Sequence, residues 1–358
     1  MEQLSEVELL DTVPMPLTFL RSGTKLGAFV LGPDRTKLYG RVTGQDGIME
    51  VDVASLKTRH IDVEFGGPVY VNAMVIDGAH NCAIADPQNR AMLFFDSEFK
   101  LIKRVAFAGD QMGVPLDAIS IQSGGFIACN VSRDGTNVVK YTAEGDVDWE
   151  CVVGGPSLSG QPVAGSIVPF YGSADSCFLL AQFPDTTVRQ SHEVRVVRCE
   201  SGGCSESPVL LRLEAPWVPA PGSPEARRGV VSRSVGPVMA VGVDGDCLLR
   251  YGNRKCRPPV LVRYMAGEEP RVYRVPRGIL ELLPFDENTF WGRPFADMRS
   301  DTLAFTFRIP AWEAGLPFSE FIKGQGRHPG YGIANFPSND KPNAPDSGSA
   351  STSHRVSQ

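Results

Sequence analysis

Residues 73–107 read AMVIDGAHNCAIADPQNRAMLFFDSEFKLIKRVAF, and this stretch decides the fold. It contains four runs of strand length, separated by turn formers at Gly78, at Pro87 and at the Asp96-Ser97 pair. Apolar spacing of helical period is not sustained over about twelve residues, here or elsewhere in the chain. The stretch therefore predicts one four-stranded β unit.

Units of the same kind recur with a period of about 45 residues. Other four-strand units cover 25–65, 116–154, 165–216 and 235–276, and a sixth unit with only three clear strands covers 279–309. The run SEVELLDTV (5–13) precedes the first unit and has no partners of its own. A ring explains both facts, because the N-terminal strand can then complete the last sheet. The sequence predicts an all-β fold, a six-bladed β-propeller of four-stranded blades closed by the N-terminal strand, with an irregular pair of β-sandwiches as the alternative.

The stretch 73–107 also resembles an NHL repeat. The pattern of that repeat is matched by Ile84-Ala85-Asp86 at the end of a strand, by Asn89-Arg90 in a short loop and by Phe95-Asp96 after the next strand. The likeness is good over about 35 residues, fair over 116–154 and faint elsewhere. It implies a six-bladed propeller and relatives that range from scaffolds to lactonase-like, strictosidine-synthase-like and lyase-like enzymes, without choosing among them.

The repeats stop near residue 310, which divides the chain into three parts. Residues 1–310 are predicted to form the propeller. Residues 311–335 are predicted to be an extension packed on it, and AWEAGLPFSEFIKG within them favours one short helix. Residues 336–358 are almost free of apolar side chains, so we expect a disordered tail.

Composition excludes several functional classes. The chain has 358 residues and a net charge of −6, with 42% hydrophobic and 21% charged residues, which is too apolar for a disordered protein. No apolar run approaches the roughly 20 residues of a membrane helix. The acidic balance argues against nucleic acid, and the Arg-rich strands of 187–278 are typical of a solvated sheet face. The acidic N-terminus lacks a secretory signal, so we expect a cytoplasmic protein. We also expect it to be a monomer, without a membrane or nucleic-acid partner.

Eight cysteines are present, and they predict buried, reduced thiols rather than a metal site. Cys199 and Cys204 have neither the CxxC spacing of a zinc knuckle nor a histidine at ligand distance, and the same holds for Cys247 and Cys256. A turn disulfide between Cys199 and Cys204 is the alternative if the protein is exported.

One face of the predicted propeller is formed by the connections between blades and by the loops that join second to third strands. We call it the mouth face, and we expect the site residues there. Ligands of propellers usually bind at this face of the central channel. Four polar residues occupy comparable positions near the start of innermost strands: Asn72, Asp117, Gln161 and Glu281. Asp117 and Glu281 are candidate general acids or bases, or alternatively carboxylates that bind channel water.

Two further residues are candidate catalytic groups. His192 closes the long predicted loop 181–193 and is a candidate for proton transfer, unless it is a lone surface histidine. Arg293 is expected to orient an anionic or carbonyl group, or alternatively to bridge two blades. Trp291 beside it is expected to stack on the substrate.

The remaining substrate-binding candidates lie on the predicted mouth-face loops. Tyr70, Asn130 and Tyr251 begin or lie within short loops. Trp217 and Arg228 belong to the long Pro-rich loop 215–229, which is either a lid or simple packing.

No cofactor is expected. Calcium, which gluconolactonase-like relatives would imply, has suitable oxygen ligands in Asn72, Asn130, Asp117 and Glu281, but the Glu-Gly-Pro and Asn-Gly motifs of those enzymes are missing. Zinc of the kind found in NHL-like lyases needs about three converging ligands, and the histidines on one face are too few.

The sequence therefore favours a non-redox enzyme acting on a small molecule at the mouth of the channel, of lyase, hydrolase, isomerase or cyclase type. It would act by orienting its substrate and by acid–base or hydrogen-bond contacts. A propeller scaffold that binds a peptide or protein without catalysis is the alternative.

Overall fold

The structure of the protein is a computed structural model. It describes residues 4–14, 26–42, 47–107, 113–132, 135–153, 166–184, 191–206, 211–214, 235–242, 244–251, 260–275, 279–285, 288–294 and 302–325. Most of these residues lie in six antiparallel sheets, so the predicted six-bladed β-propeller is confirmed.

The first strand, β1 (Leu9–Pro14), belongs to the last blade. Blade 1 consists of β2 (Leu26–Leu31), β3 (Lys37–Val42), β4 (Ile48–Asp52) and β5 (Thr58–Ile61). Blade 2 consists of β6 (Ala73–Ile76), β7 (Cys82–Asp86), β8 (Ala91–Phe95) and β9 (Leu101–Ala106). Blade 3 consists of β10 (Val114–Ser120), β11 (Phe126–Ser132), β12 (Gly135–Tyr141) and β13 (Val147–Val153).

The other three blades are less regular. Blade 4 consists of β14 (Ser166–Gly172), β15 (Ser176–Pro184), β16 (Ser191–Glu200), β17 (Gly203–Glu206) and β18 (Leu211–Glu214). Blade 5 consists of β19 (Val235–Ala240), β20 (Cys247–Tyr251), β21 (Val260–Tyr264) and β22 (Arg271–Arg274). Blade 6 consists of β23 (Ile279–Pro284), β24 (Thr289–Pro294), β25 (Thr302–Arg308) and then β1 as its outermost strand.

The N-terminal strand closes the ring, as the sequence predicts. β1 runs antiparallel to β25, with Thr12 opposite Phe305 and Val13 opposite Ala304. The segment before β1 also reaches blade 5, because the Val7 amide donates to the Arg274 carbonyl at 2.8 Å. The first and last strands of the propeller are therefore joined to each other, and the segment before the first strand is joined to the neighbouring blade.

Six clusters of buried side chains lie between neighbouring blades, one for each interface around the ring. The blade 1–blade 2 cluster contains Tyr39 and Ile76, and the cluster between blades 6 and 1 contains Trp291 and Leu38. A blade has two packed faces, so its middle strands read as continuous apolar runs. Burying these faces against each other is the main stabilising contribution in such a ring.

The described part of the extension packs on blade 5. A 3₁₀ turn (Trp312–Ala314) is followed by the two-residue strand β26 (Leu316–Pro317), which pairs with β22. The helix α1 (Phe318–Gln325) begins directly after it. The helix is thus shorter than AWEAGLPFSEFIKG suggested, because the residues before Phe318 form the turn and the strand. The predicted tail, 336–358, lies outside the described residues.

The loop predicted over 181–193 is wrong in its bounds. β15 continues to Pro184 and β16 begins at Ser191, so His192 lies in a strand, opposite Pro184. The outermost strand of blade 4 is divided: β17 pairs with the Val197–Glu200 end of β16, and β18 pairs with the Ser191–Val194 end.

None of the helices in the described ranges is long and apolar enough to cross a membrane.

Candidate functional site

A cleft of about 600 Å³ lies between blades 1 and 2, and we call it the Glu50 cleft. Its wall combines charged, aromatic and aliphatic side chains: Asp34, Lys37, Tyr39, Glu50, Arg59, Ile61, Ile76, Ala79, His80, Ser97, Glu98 and Phe99. Some of these residues lie in loops, and each of those loops connects the first strand of a blade to the second or the third strand to the fourth. The cleft therefore opens on the face opposite to the mouth face.

Strand register brings the polar side chains of blade 1 together. Glu50 on β4 lies opposite Tyr39 on β3 and opposite Arg59 on β5. Lys37 is two residues before Tyr39, and side chains at such a spacing lie on the same side of a sheet. Three adjacent strands thus present these four side chains to blade 2.

Glu50 is the buried centre of this group, with 8% of its surface exposed. Its Oε2 accepts hydrogen bonds from Arg59 Nη2 at 2.9 Å and from Lys37 Nζ at 3.2 Å. Burial acts to raise the pKa of Glu50, but the bonds from Arg59 and Lys37 outweigh it and hold the pKa below its ordinary value. Glu50 is therefore a carboxylate at neutral pH, and it organises two cations.

Tyr39 is the neutral hydrogen-bonding group of the cleft. Burial, reinforced by the nearby Glu50 carboxylate, raises the pKa of Tyr39 to about 12. The phenol consequently keeps its proton at neutral pH and donates it towards the Glu50 carboxylate.

His80 and Asp34 lie at the rim. The bond from the Thr36 hydroxyl to Asp34 at 2.7 Å is the main cause of a lowered pKa at Asp34, and the charge of His80 adds to it. His80 has a φ of 66°, a left-handed conformation that is uncommon outside glycine. The chain holds this conformation because the His80 amide donates to the Asp77 carbonyl at 3.0 Å.

Asp77 fixes the loop that carries His80. The Asp77 side chain is fully buried, and its Oδ1 accepts from the amides of Ala79 and Asn81, each at 2.9 Å. Its Oδ2 accepts from the Gly125 amide of blade 3 at 3.0 Å. The rim histidine is thereby tied to the rigid ring rather than carried on a free loop.

The candidate residues at the mouth face do not line this cleft. Asp117 lies on the innermost strand β10, next to an irregularity in its pairing with β11, and its Oδ1 accepts from the Ala118 amide at 3.0 Å. Tyr70 is 52% exposed, and Asn72 is exposed just before β6. Their site roles stay predictions.

Asn130, by contrast, is completely buried on β11. Its amide and the Tyr141 hydroxyl face each other, yet neither group makes a well-formed hydrogen bond. Tyr251 packs its ring against Phe318 and Phe321 of α1, with centroid distances of 5.7 and 6.4 Å.

Trp291 belongs to the interface that closes the ring. It is 2% exposed, and one face of its indole stacks on Phe285 at 5.0 Å and 10°. Glu281 and Arg293 lie opposite each other on β23 and β24. The side chains of these two residues and of His192 are not among those described, and Gln161, Trp217 and Arg228 lie outside the described residues altogether.

Sequence reasoning missed the residues of the Glu50 cleft. One signal was available, namely the polar residues Lys37, Tyr39, Glu50 and Arg59 on strands that otherwise read as apolar. Their meeting depends on strand register and on which face of blade 1 meets blade 2, and neither follows from the repeat pattern alone.

Comparisons with known proteins add the following. No protein-family model matches the chain, and no curated protein gives a significant match. A catalytically inactive variant of virginiamycin B lyase from Staphylococcus aureus, solved with quinupristin, is 10% identical, with 85% of this chain and 99% of that chain covered and a TM-score of 0.46. A protein of unknown function from Bacteroides caccae is 12% identical, with 73% and 83% covered and a TM-score of 0.46. The propeller domain of the Trilobed protease from Pyrococcus furiosus is 14% identical, with 76% and 80% covered and a TM-score of 0.45.

Proposed function

We propose that this propeller is a non-redox enzyme that binds a small polar molecule in the Glu50 cleft and acts on it by acid–base contacts. The observation that carries the proposal is the buried Glu50 carboxylate, which holds Lys37 and Arg59 in the wall of a cleft of about 600 Å³. Small-molecule sites in proteins commonly have volumes of about 300–1,000 Å³ and a few fixed polar groups.

Each polar group of the cleft has a distinct role in this proposal. Lys37 and Arg59 keep N–H donors beyond those used by Glu50, and these suit a carboxylate or carbonyl group of the substrate. Tyr39 is a neutral phenol that supports the Glu50 carboxylate. His80 lies at the rim, near the Asp34 carboxylate, and its imidazole is the group that we assign to proton transfer with the substrate.

The apolar part of the wall of the Glu50 cleft restricts which ligands can bind there. Ile61, Ile76 and Phe99 line the same cleft, so one part of the ligand is expected to be a hydrocarbon. A lyase, hydrolase, isomerase or cyclase reaction is compatible with these groups, because each needs only orientation and proton transfer.

Native mass spectrometry of freshly purified protein, followed by a thermal-shift screen of polar metabolites, tests the proposal. We expect a ligand that raises Tm, and we expect weaker binding or turnover in Tyr39→Phe and His80→Asn. Asparagine is chosen at position 80 because it tolerates a positive φ. His60→Asn, a change on the outer strand β5, is the matched control and should leave binding unchanged.

Two results would redirect the proposal. A ligand whose binding is lost in Asp117→Asn, and kept in Tyr39→Phe and His80→Asn, would move the site to the mouth face. Capture of a peptide or protein, with no bound small molecule, would favour the scaffold and contradict the enzyme.

A further inference from the structure

Five of the seven described cysteines lie at one place, the interface between blades 3 and 4. Cys177, Cys199 and Cys204 are directly opposite one another on the adjacent strands β15, β16 and β17. Cys129 and Cys151 come from blade 3, where each lies opposite Val138 on β12. A row of thiols on one blade therefore faces thiols on the next.

Three of these sulfurs occupy one small volume. The Sγ of Cys204 lies 2.7 Å from the Sγ of Cys199 and 2.9 Å from the Sγ of Cys151, and all three Sγ atoms lie within 4.8 Å of one another. Cys151 is 53 residues before Cys204 in the chain, so the group exists only because two blades pack together. We call these three residues the thiol triad.

Metal binding would deprotonate the triad. A thiolate is the form of cysteine that binds metals, so the three thiols would release their protons as a cation binds. Strand register and the packing of blade 3 on blade 4 already bring the three sulfurs together for this step.

The exposure of the three thiols also suits a metal site. Cys204 is exposed, whereas Cys151 and Cys199 are buried beside Trp149 and Val153 in the interface core. A cation can thus enter from the Cys204 side and be held against a dry interior. Cys177, whose thiol contacts that of Cys199, is the next sulfur available.

We propose that Cys151, Cys199 and Cys204 bind a thiophilic d¹⁰ cation, zinc or copper(I), which links blade 3 to blade 4. A zinc–sulfur bond of about 2.3 Å requires sulfurs about 3.8 Å apart in a tetrahedral site. The Cys204 sulfur is closer than this to the sulfurs of Cys199 and Cys151, so each of these two pairs would move apart by about 1 Å. A disulfide would use two of the sulfurs and leave the third unused, whereas a cation uses all three.

Cobalt(II) titration of the reduced, full-length protein tests the proposal directly, because thiolate–cobalt charge-transfer absorption appears only with sulfur ligands. We expect saturation at one cobalt per chain and displacement of the cobalt by zinc. Competition with a chromophoric zinc chelator, and separately with a copper(I) chelator, then shows which ion binds more tightly.

Single substitutions locate the site. We expect Cys204→Ser and Cys151→Ser to weaken zinc binding at least about 100-fold. Cys82→Ser is the matched control for Cys151→Ser, because Cys82 is also buried but belongs to the interface between blades 1 and 2. It should leave zinc affinity unchanged. Because Cys204 is exposed, the Cys204→Ser protein should fold. The cobalt titration uses the unmodified chain, so it tests the proposal even if a variant fails to fold.

Three results would overturn the inference. One is the absence of charge-transfer absorption in the reduced protein. Another is an unchanged zinc affinity in Cys204→Ser. The third is a disulfide within the triad that forms in air after the reductant is removed even though zinc is present, detected as the loss of two hydrogens by intact mass.

Discussion

Glu50 is the residue on which the candidate site depends. It is 8% exposed and forms ion pairs with two cations on neighbouring strands. Its folded pKa lies below its ordinary value, so its contribution to stability is present above the unfolded pKa and is lost as the pH falls through the folded pKa. Acid should therefore loosen blade 1 at the cleft.

We predict that Glu50→Gln lowers the free energy of unfolding by about 1 kcal/mol at pH 7, the scale of a partly exposed ion pair. The difference from the unmodified protein should shrink in acid, where Glu50 itself becomes protonated. Urea unfolding at several pH values measures both effects. Glu64→Gln is the control, since Glu64 is exposed and does not line the cleft; an equal loss in both variants would contradict the role of Glu50.

Single residues also show where prediction from sequence ends. The motif FWGRPF predicts a site role for Trp291 and Arg293, but burial and stacking on Phe285 give Trp291 a packing contact that the local sequence does not reveal. Cys199 and Cys204 stand out as a pair in the sequence. The third thiol, Cys151, comes from another blade, and only the packing of the two blades brings it within 2.9 Å of Cys204.

At the scale of elements, repeat spacing predicted nearly every strand. The four runs in 73–107 became β6 to β9 with only small changes in their ends, because each run is bounded by turn formers. The divided outer strand of blade 4 was not predicted. Its two parts, β17 and β18, each pair with a different end of β16, and sequence length alone does not show which end is covered.

The loop from β6 to β7 carries His80 of the cleft and packs against blade 3. This close approach requires glycine at position 78. A Cβ atom added to Gly78 would lie 2.0 Å from the Gln122 carbonyl oxygen, a backbone atom of blade 3. We predict that Gly78→Ala destabilises the protein by about 1–3 kcal/mol, as overpacking does, and displaces the loop that carries His80.

Thermal unfolding and the binding assay measure this effect. Gly202→Ala is the matched control, because a Cβ there meets nothing within 4 Å. A Gly78→Ala protein as stable as the Gly202→Ala protein would show that the loop does not pack on blade 3 as described.

At the scale of the whole molecule, six interfaces between neighbouring blades stabilise the ring, and two of them differ from the others in the side chains that they contain. The blade 1–blade 2 interface opens into the charged cleft, and the blade 3–blade 4 interface contains the thiols. The ring itself depends on the interface between blades 6 and 1, where Arg35 Nη1 also donates to the Phe285 carbonyl at 2.8 Å.

Disulfide trapping across the closure tests the ring most directly. Asp11 and Thr306 are opposite each other on β1 and β25, and such antiparallel neighbours have Cα separations of about 4.5–5.5 Å, within disulfide range. We predict that the Asp11→Cys/Thr306→Cys protein forms this bond on oxidation, identified by peptide mapping. Its free energy of unfolding should rise by roughly 5–6 kcal/mol by the chain-entropy estimate for so long a loop, and reduction should remove this gain. The mismatched pair Asp11→Cys/Glu98→Cys should not form a bond. Failure of the matched pair to form, or equal trapping of the mismatched pair, would contradict a ring closed by the N-terminal strand.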